Sequence, residues 1–148
     1  FEGQAAIALE ALALQGRAKT SAAAIPRYKL PLLQSDGPVP WQWDWRPLLA
    51  DLLRDRSGQR YGTAAIALGF HRALAAGVGA LAALLDQPVL LLSGGCFQNQ
   101  VLLESTVAAF RLQGRRALWP QRLPCNDAAL AAGQLLAAST RQGPAPCI

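Results

Sequence analysis

The stretch PVLLLSGGCFQN, residues 88–99, decides the fold: an apolar run ends in two glycines and passes into a helical pattern. A short apolar run of this kind is typical of a parallel-sheet strand that is buried on both faces. The helical pattern extends from about Gln98 to Leu112, and RRALWP at 115–120 is the next strand candidate. Strand, helix and strand in this order predict a crossover unit with two parallel strands.

The flanking sequence predicts helices that cover this unit. Residues 3–16 are rich in Ala and Leu, with Gly16 placed to end the helix, and residues 60–85 repeat apolar positions at spacings of three and four. A final helix is predicted from Asp127 to about Ser139. We therefore expect a single α/β domain over all 148 residues, with a sheet that contains parallel strands and is packed by helices.

The segment 26–45 is rich in proline, which predicts extended or looped backbone. A strand around Pro31 is expected only at a sheet edge, because proline lacks the N–H that pairs strands. Trp41, Trp43 and Trp45 alternate along the chain. Alternation predicts that all three lie on one face of an extended segment, in a core or an interface.

The composition is that of a folded domain with few charged side chains. Hydrophobic residues make up 52% of the chain and charged residues 16%, which excludes a disordered tail and suggests an apolar surface that something else covers. The net charge of +5 comes from scattered side chains, an arrangement typical of a solvated surface and not of a nucleic-acid interface. The apolar run at 88–92 is far shorter than the roughly 20 residues of a membrane helix. We expect neither nucleic acid nor membrane as a partner.

Methionine and cysteine bear on the context of the chain. The sequence contains no methionine, so we expect a piece of a longer protein. Cys96, Cys125 and Cys147 are odd in number and form no CxxC pair, which predicts reduced thiols in the cytoplasm. No His or Asp at a suggestive spacing supports Cys125 as a nucleophile.

The strand-to-helix junction is the strongest candidate for a ligand site. Gly94 and Gly95 permit positive φ and close approach of another molecule to the backbone, and we expect their N–H groups to stay open to that molecule. The free N–H groups of the following helix are expected to face a phosphate or a nucleotide. Asn99, one turn into that helix, is placed to donate or accept a hydrogen bond. The alternative is a tight turn with no ligand.

Polar residues elsewhere allow two interpretations each. Asn126 and Asp127 follow the second strand at the same edge of the sheet, where ligands bind in α/β folds. Asp127 is either a ligand for metal and phosphate or a helix cap. Glu2, before Gly3, either binds ribose hydroxyls or supplies a favourable charge to the first helix. His71 is the sole histidine, which favours a packed, hydrogen-bonded structural role over catalysis.

Four segments in register carry a family resemblance. They are FEGQAAIALEALA (1–13), GFHRALA (69–75), LLLSGGCFQNQVLLE (90–104) and LPCNDAALAAGQ (123–134). They resemble the C-terminal part of the HypF-type carbamoyltransferases of nickel–iron hydrogenase maturation. The resemblance implies the second lobe of an ASKHA fold, the class of actin, sugar kinases and Hsp70, which is shared with proteins that transfer threonylcarbamoyl to tRNA.

The resemblance also implies a site. The implied adenylate-site residues are Gly94, Gly95 and Asn99, with Glu2 and Gly3 near the ribose and Asp127 at a divalent metal and phosphate region. The other metal ligands would lie upstream of this chain. The two lobes would close on the nucleotide, so the isolated chain is expected to be inactive.

The implied reaction uses ATP and carbamoyl phosphate. A preceding domain forms carbamoyl adenylate, and the carbamoyl group passes to the C-terminal cysteine of a HypE-type acceptor. Ala128 and Ala129 depart from the family pattern, which has two glycines after Asn-Asp. This departure keeps two alternatives open: a non-catalytic interaction lobe, or a carbamoyltransferase with another acceptor.

Overall fold

The computed structural model describes residues 3–140. Within that range the helices are α1 Gln4–Lys19, α2 Trp45–Ser57, α3 Thr63–Leu84, α4 Gln100–Leu112 and α5 Leu130–Thr140. The strands are β1 Leu32–Gln34, β2 Trp41–Trp43, β3 Val89–Leu91 and β4 Arg116–Leu118, and short 3-10 turns occupy Ala22–Ala24, Gly95–Gln98 and Asp127–Ala129. The mixed α/β class and the order of strands and helices are confirmed.

Helix α3 forms the centre of the domain, where α1, α2 and α4 pack against it. Half of its 22 residues are buried. Gly16 does not end α1 as predicted, because α1 continues to Lys19. Gly16 instead lies where α1 crosses α3, and a methyl group there would overlap the Ala64 carbonyl. Its lack of a side chain serves helix packing and not helix termination.

The length and apolar composition of α3 also meet the criteria for a membrane-crossing helix, with a mean hydropathy of 1.5. The expectation that no segment reaches membrane length rested on the shorter run at 88–92 and did not include this helix. In the fold, α3 contributes Ala67 and Leu68 to one buried cluster and Ile66 and Ala73 to another. These contacts explain the composition of α3 as that of a core helix.

The predicted crossover unit is present. Strands β3 and β4 pair in parallel, with Leu90 opposite Ala117, and α4 connects them. On the face toward the helices, Leu92 is buried, and so is Phe110 of α4. On the opposite face, Val89, Leu91 and Leu118 are exposed, Leu91 at 69%. Parallel sheets are normally covered on both faces, so the apolar surface expected from the composition includes this face.

The proline-rich segment forms a hairpin. Strand β1 begins directly after Pro31 and pairs antiparallel with β2, in which Trp41 and Trp43 alternate with Gln42. The prediction that Trp45 shares their face is wrong, because Trp45 is the first residue of α2. The strand ends and the helix begins at Asp44, which is the N-cap of α2: its side chain accepts a hydrogen bond from the Arg46 N–H at 3.0 Å.

Candidate functional site

The loop after β3 is tied to the loop after β4. Gly94 has a φ of 96°, a left-handed conformation that favours glycine. Its N–H donates to the Cys125 carbonyl at 2.6 Å. The two loops therefore meet at one edge of the sheet, as predicted. The expectation that the Gly94 N–H stays open to a ligand is wrong, because it holds the loops together.

The N-terminus of α4 is already occupied. A 3-10 turn precedes the helix, so Asn99 is its N-cap and does not lie one turn inside it. The Asn99 Oδ1 accepts from the Leu102 N–H at 2.9 Å, and the Glu10 Oε1 accepts from the Gln100 N–H at 2.6 Å. A carboxylate thus already complements the positive end of the helix dipole. The expectation that these two N–H groups are free is wrong, and anion binding at this helix end stays a prediction.

His71 forms a hydrogen-bonded chain with Asn99. Its side chain is 3% exposed. Its Nδ1 lies 2.8 Å from the Ala67 carbonyl oxygen, and its Nε2 lies 2.9 Å from the Asn99 Nδ2. The packed, hydrogen-bonded environment expected of a lone histidine is confirmed.

A first cleft of about 780 Å³ lies between α1, α3 and the loop after β3. Three of the predicted nucleotide-binding residues line it together: Gly3, Gly95 and Asn99. Its apolar lining residues are Ala6, Ile7, Leu9, Phe70, Leu74 and Leu102, and its polar side chains include Glu10, His71 and Gln98. Glu2 lies outside the described residues. Nucleotide binding by these residues stays a prediction.

A second cleft of about 510 Å³ adjoins the first, and Asn126 lines both. Gly94 and Asp127 line this second cleft. The cap of the turn there is Asn126, whose side chain accepts from the Ala128 N–H at 3.2 Å. The interpretation of Asp127 as a cap is therefore wrong. Asp127 is exposed, and its carboxylate has no hydrogen-bond or ion-pair partner among residues 3–140.

The described residues do not form a metal site by themselves. Between residues 3 and 140 there is no group of three or more His, Cys, Asp and Glu side chains that could hold a metal ion. Asp127 offers one carboxylate, whereas Mg²⁺ and Ca²⁺ take six or more oxygen ligands. A metal at Asp127 would need ligands from outside this part of the chain.

Some residues of the clefts carried no usable signal in the sequence. Glu10 contacts Gln100 across 90 positions, and no local pattern predicts such a pairing. Phe70 is one of the regularly spaced apolar residues of 60–85 and packs against the core, yet it also lines the first cleft. Cys96 is exposed and also lines that cleft. Ala129, one of the two departures from the family pattern, lines the second.

Comparisons with known proteins agree with this architecture. The sequence profile described as "Carbamoyltransferase, Kae1-like Domain, second subdomain" matches residues 1–134. The carbamoyltransferase HypF of Synechocystis sp. is 38% identical over 137 residues, which are 93% of this chain and 16% of that protein. A HypF homolog of Cupriavidus necator is 38% identical over an alignment of 142 residues, and the match covers 90% of this chain and 34% of that protein.

Solved structures give the same result. A full-length HypF in a phosphate- and nucleotide-bound form superposes with a TM-score of 0.76 and 27% identity, over 97% of this chain and 18% of that one. The HypF of T. kodakarensis, at 20% identity, shares the fold with a TM-score of 0.69, over 93% of this chain and 17% of that one. This chain thus spans only a sixth to a third of these relatives' lengths. By its sequence and its fold, the chain belongs to the HypF family of carbamoyltransferases and corresponds to the second subdomain of the Kae1-like domain.

Proposed function

We propose that this chain is the second lobe of an ASKHA-type carbamoyltransferase and holds the nucleoside part of carbamoyl adenylate. The observation that carries the proposal is the convergence of Gly3, Gly95 and Asn99, from opposite parts of the chain, on one cleft. In the parent protein, carbamoyl adenylate would arise from carbamoyl phosphate and ATP. Its carbamoyl group would pass to the C-terminal cysteine of a HypE-type acceptor in hydrogenase maturation.

The first cleft suits a base and a ribose better than it suits phosphates. Its walls are largely apolar, with a few polar groups that can fix orientation. An Asn side chain has four hydrogen-bonding positions. The contacts with His71 and Leu102 use two of them, which leaves one N–H and one lone pair of Asn99 for a ligand. Glu10 places a negative charge here, which disfavours phosphate in the same space.

The second cleft is the better place for the phosphate and carbamoyl groups. Gly94 exposes backbone there, and a side chain at this position would meet nothing within 4 Å. Asp127 presents a carboxylate that has no partner among the described residues. We place it beside a divalent metal whose other ligands come from upstream of this chain. The upstream lobe would also close the cleft, which this lobe leaves open.

The transfer step is an acyl substitution. The acceptor thiolate forms a bond to the carbamoyl carbon, the bond from that carbon to the adenylate oxygen breaks, and AMP leaves with the electron pair. Water competes with the thiolate at the same carbon, so the closed site must exclude it. Because this lobe forms only one wall, the isolated chain should not catalyse transfer. The reduced cysteines predicted from the sequence suit a cytoplasmic location for such thiol chemistry.

The test is carbamoyl transfer by the full-length protein that contains this lobe. Purified enzyme, ATP and carbamoyl phosphate are incubated with a HypE-type acceptor, and intact-protein mass spectrometry measures the gain of one carbamoyl group. Acceptor with its C-terminal cysteine replaced by serine is the control and should stay unmodified. Nucleotide consumption without modification of the acceptor would point to a different acceptor.

One observation favours a non-catalytic interaction lobe as the second candidate. The Ala129 methyl group lies in the second cleft, where the family pattern has glycine. If this methyl group blocks the ligand, the native protein will show no transfer, and the double variant Ala128→Gly, Ala129→Gly will restore it. This candidate is excluded if the native protein transfers the carbamoyl group and the double variant is no faster.

A further inference from the structure

We infer that His71 is a positioning residue: it fixes the loop after β3, residues 94–99, by accepting a hydrogen bond from Asn99. The inference rests on the proposed function and extends it to a residue of the core helix. His71 lies on α3 and Asn99 at the start of α4, 28 positions apart. The side chain of His71 is buried and borders the first cleft.

The hydrogen bonds around Asn99 determine which way each group points. The Leu102 N–H is a donor, so the atom of Asn99 that faces it is the oxygen. The opposite atom is therefore the Asn99 amide nitrogen, which donates to His71 Nε2. The Ala67 carbonyl only accepts, so His71 Nδ1 carries the proton that it receives. One tautomer satisfies every group: neutral imidazole with the proton on Nδ1.

This chain of bonds fixes one end of the loop, and the contact between the Gly94 N–H and the Cys125 carbonyl fixes the other. Between these anchors lies only the 3-10 turn Gly95–Gln98. Gly95 and Gln98 line the first cleft. Without the bond to His71, Asn99 would no longer hold the turn in place. Nucleotide binding would then have to order the turn, and the free-energy cost of that ordering would weaken binding.

Two substitutions separate positioning from packing. In His71→Gln the side-chain oxygen reaches the place of Nε2 and still accepts from Asn99. In His71→Asn the shorter amide reaches only the place of Nδ1 and keeps the bond to Ala67. Both remove the ring and should lower the melting temperature of the 148-residue chain. Calorimetry with ATP on the full-length protein should show binding within about threefold of native for Gln and at least about tenfold weaker for Asn.

Asn99→Ser is the matched control on the other side. Serine retains the cap of α4 but cannot donate to His71 at the same reach. It also removes the ligand contacts proposed for Asn99, so the binding loss should be at least that of His71→Asn. The double variant should lose no more than Asn99→Ser alone. Equal binding by His71→Gln and His71→Asn, or additive losses in the double variant, would overturn the inference.

Nitrogen NMR of the 148-residue chain gives a test that needs no nucleotide. The His71 ring should show a protonated Nδ1 and an unprotonated Nε2, and Asn99→Ser should shift the Nε2 signal. A proton on Nε2 would overturn the inference even if the full-length protein binds ATP. If the native full-length protein binds no nucleotide, the proposed function is contradicted. The position of the ring proton then still shows whether His71 accepts a hydrogen bond from Asn99.

Discussion

The loops after β3 and β4 lie side by side yet differ in how they are held. The bond between the Gly94 N–H and the Cys125 carbonyl holds both loops, and the first loop has a further anchor at Asn99. The second loop exposes residues 121–124, and α5, which follows it, has no buried residue. Under the proposed function, the first loop would hold the ligand in a fixed geometry. The second loop would present Asp127 to a site that the upstream part of the parent protein completes.

The largest expected effect concerns the second loop. Asp127→Ala in the full-length protein should lower carbamoyl transfer by roughly a hundredfold or more, because it removes the carboxylate proposed at the phosphate region. The melting temperature should change by less than about 2 °C, since the side chain is exposed and has no partner within residues 3–140. Asp36→Ala, at another exposed carboxylate, is the control. Normal transfer by Asp127→Ala would show that the second loop lies outside the site.

Gly95 and Gly94 test the first loop. A side chain at Gly95 would point into open space, with its nearest neighbour 4.0 Å away, and the left-handed φ belongs to Gly94 and not to Gly95. Gly95→Val should therefore fold normally but weaken ATP binding at least about tenfold, because it fills the first cleft. Gly94→Val should cost about 1–3 kcal/mol of stability through backbone strain. Calorimetry and thermal denaturation on one preparation measure both, and native ATP affinity in a folded Gly95→Val protein would remove this loop from the site.

The isolated chain tests how much the anchored loop achieves by itself. With one wall of the site present, ATP should bind with a Kd no tighter than roughly 100 μM, because fewer contacts oppose the cost of association. Isothermal titration of the 148-residue chain measures this constant. Submicromolar binding would mean that the second loop needs no completion from outside, and the contrast between the loops would lose its functional meaning.

Glu10 carries the smallest expected effect. Glu10→Ala removes the acceptor for the Gln100 N–H and should cost about 1 kcal/mol, as the loss of a helix cap does. Glu10→Gln keeps an acceptor oxygen and should lose less than half as much. Urea denaturation at neutral pH measures both variants. Equal stability of the alanine variant and the native chain would show that Asn99 alone satisfies the start of α4.

Local sequence predicted most of the helices and strands. The apolar run and the glycines predicted β3 and the turn after it, and the spacing in residues 60–85 predicted α3. The end of α1 and the start of α5 were predicted wrongly, because both depend on contacts. Gly16 continues in the helix since α3 crosses there, and Asn126 takes the cap position that the sequence offered to Asp127.

By itself, the sequence determined the α/β class, the crossover unit and the family, since apolar periodicity and four short motifs are local properties of the chain. The tertiary structure alone decided which groups remain available for a ligand. The N–H of Gly94 and the start of α4 looked open in sequence, but Cys125 and Glu10 occupy them. These hydrogen bonds join residues up to 90 positions apart, so they require the packed fold.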